Sequence, residues 1–375
     1  MSKQKKKILV VASSLRFGGI QKSLLSFLNY ISPLAEVDLL IWEQVFDFPV
    51  PQGVNLLNTA TVKSVRRSLQ LDGFFSKSFL LSIVAALFSK KYRWRVLPSL
   101  GKHYDVAIAY SNGGYGKYYV VDKVSSLKKY TFFHNGVYDV TKQEYKLDQR
   151  YYPKYNCIFA VSLPVKDMLQ KVFTDTITLR VLRNLIDYGL ISQLATASCQ
   201  EMYNVTGIKI LSVGRLSQEK APLMLLEVAK ILFQKKINFS WFIVGDGDMY
   251  DEIEAKIRKY NLTGCCFLCG GQINPYRFMK NCDIFVQLSK YEADSLTIRE
   301  VAFFKKPMIL SDIVAFKNFA KTYPHAKIES RDASVIADAI IETSKNLSCP
   351  SDANGEIDNV DLEARTQIAE ILELG

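Results

Sequence analysis

Short apolar runs alternate with amphipathic stretches through the first half of this 375-residue chain. The segment from about Ile20 to Ile31 and the segment Pro164–Val172 repeat apolar residues with the period of a helix. The apolar runs are too short for helices and predict buried strands. Strands alternating with helices predict a parallel, doubly wound α/β sheet. The predicted strands are Lys7–Ser13, Glu36–Trp42, Tyr104–Tyr110, Lys129–Phe133, Asn156–Val161 and Thr178–Arg183.

The alternation resumes after a polar stretch, Ser192–Asn204, in which the periodicity lapses. We therefore expect a first domain over residues 1–190 and a second Rossmann-like domain over residues 205–348. A last helix is expected within residues 358–375, packed back onto the body of the protein. The second domain has predicted strands at Lys209–Val213, Phe239–Val244, Cys265–Leu268, Asp283–Leu288 and Pro307–Leu310, and predicted helices at about Glu219–Lys235, Met249–Tyr260 and Asn274–Asn281.

The composition is that of a folded protein, because 49% of the residues are hydrophobic and 23% are charged. The longest apolar candidate, Phe79–Phe88, is shorter than the roughly 18 residues that span a membrane. The lysine-rich N-terminus lacks the cleavage site of a signal peptide, so a cytoplasmic protein is expected. The seven cysteines have no regular spacing, and we interpret Cys266 and Cys269 as strand core rather than a zinc site.

The formal net charge is +11, and residues 61–104 concentrate it. Nine basic side chains accompany one acid, Asp72, and aromatic residues such as Trp94 are interleaved with them. A basic, aromatic-rich helical segment is typical of attachment to an anionic membrane surface, here the inner face of the cell membrane. A solvated helix face over an ordinary core is the alternative. Nucleic acid is not expected as a partner, because no recognisable binding motif accompanies the charge.

The stretch Tyr291–Val301 (YEADSLTIREV) carries the clearest chemical pattern. It follows a predicted strand and places Glu292 and Glu300 around a predicted helix start. In an open α/β sheet, ligands bind where strands end and helices begin. A capping box, Thr297-x-x-Glu300, is the alternative interpretation, with Glu292 as an ordinary loop acid.

Other strand ends also carry candidate binding residues. A glycine pair at Gly18 and Gly19 follows the first strand and lets the backbone approach a ligand. His134 directly follows another strand, which is where side chains meet substrate in parallel sheets. In the second half, Gly214 is followed by Arg215 and Lys220, two cations that could converge on one diphosphate. A further turn contains Gly245, Asp246 and Gly247, and it could also be a plain connection between strand and helix.

Taken together in this order, these residues resemble glycosyltransferase family 4, retaining enzymes of the surface-polysaccharide type. The resemblance covers nearly the whole chain and is densest from Ile208 to Phe316. It implies the GT-B fold, in which two Rossmann-like domains face a central cleft. The matching motifs are Gly214-Arg215-x4-Lys220, Gly245-Asp246-Gly247, Asn274-Pro275-Tyr276, Glu292-x7-Glu300 and Lys306-Pro307, with weaker matches at Gly18-Gly19, His134, Ser162 and Asn184-x-x-Asp187.

The resemblance also implies roles for individual residues. Glu300 would accept hydrogen bonds from the ribose hydroxyls of a nucleotide-sugar donor. Arg215 and Lys220 would hold the donor diphosphate and stabilise the charge that grows as the sugar–phosphate bond breaks. Glu292 would hold the transferred sugar, and His134 would contact it from the opposing domain. The rest of the donor-binding set would be Gly18, Gly19, Gly214, Gly245, Asp246, Ser295, Leu296 and Thr297.

The implied activity is a metal-independent hexosyltransferase without a cofactor, which adds sugar to a lipid-linked glycan acceptor. A nucleotide-sugar isomerase (epimerase) on the same scaffold and a non-catalytic peripheral membrane module are the alternatives. The chain departs from the family pattern after Glu292, where Ala293, Asp294 and Ser295 replace a glycine-containing run. The extra acid, Asp294, predicts an altered sugar pocket.

Overall fold

The computed structural model describes residues 5–16, 18–43, 45–57, 94–95, 97–111, 113–347 and 354–374. The chain divides into two compact units. The first contains Met1–Arg16, Ile20–Leu185 and Ala364–Gly375, and the second contains Phe17–Gly19 and Ile186–Glu363.

The first unit is built on a seven-stranded parallel sheet in the order β3-β2-β1-β4-β5-β6-β7. The chain moves outward from β1 in both directions, as a doubly wound sheet requires. The strands are β1 (Lys7–Ala12), β2 (Glu36–Ile41), β3 (Val54–Leu56), β4 (His103–Ala109), β5 (Ser125–Phe133), β6 (Cys157–Ala160) and β7 (Leu179–Val181). The described helices are α1 (Gly19–Ile31), α2 (Gly116–Lys123), α3 (Lys142–Tyr151) and α4 (Leu163–Phe173).

The second unit repeats the plan with six parallel strands in the order β10-β9-β8-β11-β12-β13. The strands are β8 (Ile208–Val213), β9 (Phe239–Val244), β10 (Cys266–Leu268), β11 (Ile284–Gln287), β12 (Met308–Ser311) and β13 (Ala326–Glu329). The helices are α5 (Tyr188–Leu194), α6 (Gln200–Tyr203), α7 (Pro222–Gln234), α8 (Tyr250–Lys259), α9 (Tyr276–Asn281), α10 (Leu296–Phe303), α11 (Val314–Ala320), α12 (Ala333–Ser344) and α13 (Asn354–Leu372). The prediction of two parallel α/β domains is confirmed.

The last helix, α13, ends in the core of the first unit. Ala364, Ile368 and Leu372 share the spacing of one helix face, and all three are buried against that core. The carboxylate of Glu373 then accepts hydrogen bonds from Lys6 (2.7 Å) and Lys128 (2.5 Å). The C-terminal end of the chain is thus attached to the first unit by apolar packing and two ion pairs.

The polar stretch Ser192–Asn204 is folded in the structure. It contains the end of α5 and all of α6, and the second unit includes residues Ile186–Glu363. Ile191, Ala195, Cys199 and Met202 are buried in the core of the second unit. Ile191 lies in α5 and Met202 in α6, whereas Ala195 and Cys199 lie at the ends of these helices, so no single helical period runs through the segment.

Most of residues 61–104, the segment predicted to lie on a membrane, is outside the described residues, and its attachment stays a prediction. Its described end contains Trp94, which is fully buried and donates a hydrogen bond from Nε1 to Asp122 (2.8 Å). Trp94 is therefore a core residue and not part of a membrane-facing surface. Within the described part of the chain, no helix combines the length and the apolar character that a membrane span requires.

Candidate functional site

Three loops meet at one edge of the second sheet. They follow β8, β9 and β11, which are neighbours in the sheet and run parallel, so their carboxyl ends lie side by side. The loops hold the predicted residues around Arg215, Asp246 and Glu292. The fold therefore brings together three motifs that are far apart in the sequence.

Glu292 and Lys220 form the centre of this site. The Lys220 ammonium makes an ion pair with Glu292 Oε1, and the two side chains are 26% and 11% exposed. Gln287 Nε2 and Ser289 Oγ also donate hydrogen bonds to Glu292 Oε1, at 2.7 Å and 2.8 Å. Glu292 is thus held by three donors, and Lys220 is neutralised by a carboxylate in this structure.

Arg215 and Lys220 line the same cavity, together with Gly214 and Gln287. Arg215 is exposed, whereas Lys220 is partly buried. Burial by itself would raise the pKa of Glu219, but the Ser217 hydroxyl, a backbone N–H and the charges of Arg215 and Lys220 lower it overall. The hydrogen bonds contribute more to this lowering than the two positive charges do.

The loop that carries Lys220 is not the start of the predicted helix over Glu219–Lys235. Gln218–Lys220 form a single 3₁₀ turn, and α7 begins only at Pro222. Ala221 between them has a φ of 49°. Proline disfavours helical geometry in the residue before it, so the turn and the helix cannot merge. This break directs Lys220 into the cavity rather than along the helix surface.

Gly245 and Gly247 serve the packing of one loop on another. Their φ values are 153° and 157°, and a Cβ at Gly245 would lie 1.8 Å from the Gly214 carbonyl oxygen. A Cβ at Gly247 would lie 2.5 Å from the Leu216 carbonyl oxygen. The two glycines therefore allow their loop to approach the backbone of the loop that carries Arg215. Asp246 between them is exposed, and its carboxylate accepts the Gly247 N–H at 2.8 Å.

Glu300 lies inside α10 and is 3% exposed. The Tyr276 hydroxyl donates a hydrogen bond to Glu300 Oε1 at 3.1 Å. Burial and the Glu300 charge raise the pKa of Tyr276 far above its usual value, so the tyrosine stays a donor. The capping-box interpretation is wrong, because the N-cap is Ser295, and Thr297 and Glu300 both lie beyond it. Leu296 opens the helix.

Asp294, the extra acid of this chain, forms a buried ion pair. Arg299 Nη1 lies 3.3 Å from Asp294 Oδ2, and the two side chains are 8% and 10% exposed. Burial by itself would lower the pKa of Arg299, but the charges of Asp294 and Asp361 raise it overall. Asp294 is thus engaged with α10, and the departure from the family pattern introduces a structural pair.

Replacing Arg299 by methionine is expected to destabilise the second unit by about 3 kcal/mol, because Asp294 keeps a buried charge without its partner. Denaturant unfolding measures the change. The double variant Asp294→Asn/Arg299→Met should recover part of the lost stability, because Asp361 still lacks the Arg299 charge. A single variant as stable as the parent would show that the pair has no structural role.

His134 follows a strand of the first sheet, and Gly18 and Gly19 lie at the start of α1. His134 follows β5 and is buried, and its Nε2 lies 2.7 Å from the Tyr110 carbonyl oxygen. Since a carbonyl only accepts, Nε2 carries a proton in this contact. The ring also stacks on Phe132, with centroids 5.7 Å apart. Gly18 precedes α1, and Gly19 is its first residue.

Three site residues were missed as contributors when the sequence was considered alone. They are Tyr276, which holds Glu300, and Gln287 and Ser289, which hold Glu292. Gln287 offers a sequence signal, because it is an amide at the end of an otherwise apolar strand. A buried amide needs hydrogen-bond partners, and this need points to a neighbouring polar site.

The comparison with known families concerns the same region. Residues 200–352 match the family model for glycosyl transferases group 1. This region is similar to the group 1 glycosyl transferases. The match contains the three loops, the Lys220–Glu292 pair and Glu300. The resemblance noted from the motifs is confirmed at the level of this broader group.

Curated relatives match over part of their length. A Campylobacter jejuni protein, N-acetylgalactosamine-N,N'-diacetylbacillosaminyl-diphospho-undecaprenol 4-alpha-N-acetylgalactosaminyltransferase, is 31% identical over 150 residues, which cover 40% of this chain and 39% of that protein. An uncharacterized glycosyltransferase of Methanocaldococcus jannaschii is 27% identical over 136 residues, which cover 36% of this chain and 34% of that protein. The aligned segments therefore span little more than a third of these relatives.

Several solved structures resemble the whole chain in fold. Anabaena HepE in complex with UDP and glucose has a TM-score of 0.72 at 16% identity, covering 98% of this chain and 99% of that chain. Staphylococcus aureus TarM, solved with UDP, has a TM-score of 0.65 at 14% identity, covering 97% and 96%. At these identities the likeness shows the fold alone, and it confirms the GT-B prediction.

Proposed function

We propose that this protein is a retaining glycosyltransferase that moves a hexose from a nucleotide-sugar donor to a glycan acceptor. The observation that carries the proposal is the arrangement of Arg215, Lys220, Glu292 and Glu300 around one sheet edge of the group 1 region. Two cations suit a diphosphate, and two acids suit sugar hydroxyls.

The chemistry follows from these charges. The departing diphosphate gains negative charge as the bond to the sugar breaks, and Arg215 and Lys220 stabilise that charge. Lys220 must exchange part of its contact with Glu292 for the diphosphate. Glu292 is then available to the transferred sugar, while Glu300, held by Tyr276, accepts from the ribose. Because the two cations can do the work of a divalent ion, transfer should not require a metal.

We propose a lipid-linked glycan as the acceptor, used at the inner face of a membrane in surface-polysaccharide synthesis. The name of the Campylobacter relative contains a diphospho-undecaprenol acceptor, and 150 residues of this chain align with that relative at 31% identity. The basic residues of the segment 61–104 offer an electrostatic attraction to such a membrane.

A thermal-shift screen of nucleotide sugars is expected to find a stabilising donor, with about 2.7 kcal/mol of added stability at a hundredfold excess over Kd. The selected donor is then incubated with lipid-linked acceptors in EDTA, and the anomeric configuration of the product is read by NMR. A retained configuration supports the proposal. An inverted product contradicts the retaining assignment, and an isomerised donor formed without acceptor would favour an isomerase. No stabilisation by any nucleotide sugar would favour a non-catalytic binding module.

A further inference from the structure

We propose that Gln287 is a positioning residue of this site, whose amide fixes Glu292 for contact with the transferred sugar. The assignment rests on the proposed function, because it concerns the donor side of that same site. It adds a residue for which the sequence predicts no role.

Gln287 connects both ends of the loop between β11 and α10. It is the last residue of β11 and is only 6% exposed. Its Nε2 donates to Glu292 Oε1 (2.7 Å), and it also lies 3.3 Å from Ser295 Oγ at the N-cap of α10. One amide group therefore ties the strand end, the acidic residue and the helix start together.

The chemistry of the contacts fixes the orientation of the amide. A carboxylate only accepts hydrogen bonds, so the NH₂ end of Gln287 must face Glu292. The shortest contact of this amide is the one to the charged group, and hydrogen bonds to charged groups are the stronger ones. Glu292 thus aligns the Gln287 side chain, and the Gln287 amide in turn restrains the Glu292 carboxylate.

The restraint acts on one oxygen of the carboxylate. Lys220, Gln287 and Ser289 all approach Glu292 Oε1. Three donors on Oε1 leave Oε2 as the oxygen suited to a sugar hydroxyl or to positive charge at the anomeric carbon. When a diphosphate draws Lys220 away, Gln287 and Ser289 still hold the carboxylate. Gln287 therefore preserves the position of Glu292 during the step in which Lys220 changes partner.

The first test replaces Gln287 by methionine, which has a similar length but cannot donate. With the donor found by the screen, kcat is expected to fall about 10- to 100-fold, the range for a lost hydrogen bond to a charged group. The Kd of the nucleoside diphosphate alone should not change, because the hydrogen bonds of the amide go to Ser289, Glu292 and Ser295 rather than to Arg215 or Lys220. Gln234→Met, at the exposed end of α7, is the matched control and should keep the parent kcat.

A second test, Gln287→Glu, gives a readout that a purely structural role would not produce. Two carboxylates would share the site with one ammonium, Lys220, and with Arg215 at the same cavity. Repulsion raises the pKa of one carboxyl, which can donate to Glu292 only while it is protonated. The activity of Gln287→Glu relative to the parent should therefore be highest at low pH and fall as the pH rises through that raised pKa.

The outcomes separate this assignment from the proposed function. A reduced kcat with unchanged nucleotide affinity, together with the pH-dependent recovery of Gln287→Glu, supports the positioning role. If Gln287→Met had the kcat and KM of the parent protein, the positioning role would be overturned. A pH profile of Gln287→Glu that follows the parent profile would also overturn it. Transferase activity would remain in both cases. A parent protein that turns over no nucleotide sugar overturns the proposed function, and the assignment of Gln287 with it.

Discussion

Sugar transfer is expected to fall by about 10³-fold or more when Arg215 and Lys220 are both replaced by alanine. Removing one group that stabilises developing negative charge commonly costs about 10²- to 10³-fold in kcat, and here two cations are lost from one cavity. Steady-state transfer assays at saturating donor measure the effect. The Kd for the nucleoside diphosphate should also rise, since both charges are expected to contact it before the reaction.

The double variant is expected to fold. Arg215 is exposed, and Lys220 is 26% exposed, so neither cation fills the core. Without Lys220, Glu292 keeps its hydrogen bonds from Gln287 and Ser289. Arg258→Ala/Lys259→Ala, at the end of α8, is the matched control for the loss of two positive charges. If the Arg215→Ala/Lys220→Ala protein transferred sugar at the parent rate, the assignment of the donor site would be wrong.

The sequence predicts the sheets better than it predicts the connections between them. Apolar runs such as Phe239–Val244 are recognisable because strands buried on both faces contain few polar residues. Short edge strands such as Val54–Leu56 lack this signal, because one side of the strand meets solvent. The polar stretch Ser192–Asn204 was interpreted as a domain boundary, because the short helices there bury few side chains among many polar ones.

The candidate site could be located from the sequence, but its internal contacts could not. Glycine turns and charges mark the ends of parallel strands, and topology alone brings such ends together. The ion pair between Lys220 and Glu292 depends on the break at Ala221, a backbone detail without a clear pattern. The partnership of Asp294 with Arg299 is also unexpected, because two charged residues five positions apart need not face each other across a loop and helix start.

The glycines show why one pattern can have two meanings. Gly214, Gly245 and Gly247 occur where a ligand would approach the backbone, and this was the basis of the prediction. The structure shows Gly245 and Gly247 in close contact with the protein's own backbone instead. Close packing between loops and backbone approach by a ligand can both require glycine at one site. A loop that packs closely on its neighbour is also held rigidly for ligand binding.

Gly245→Ala is therefore expected to impair the site by displacing the backbone of a neighbouring loop. The added Cβ would lie 1.8 Å from the Gly214 carbonyl oxygen, and the φ of 153° is unfavourable for any side chain. Backbone cannot rotate away as a flexible side chain can, so the loop that carries Arg215 must shift. We expect the second unit to lose about 3 kcal/mol of stability, the upper range for a strained backbone position. Denaturant unfolding checks this value.

Transfer by Gly245→Ala should fall even at temperatures where the variant remains folded. The Gly214 N–H donates to the Val244 carbonyl at 3.0 Å, and the Gly245 N–H donates to the Gly270 carbonyl at 2.8 Å, so a shift at residue 245 affects both sides of the loop. Gly264→Ala is the matched control, because an added Cβ there meets open space, and its stability should change by less than about 0.5 kcal/mol. If Gly245→Ala had the stability and the nucleotide affinity of the parent protein, the loop could relax without moving Arg215. Contact between the two loops would then not set the geometry of the site.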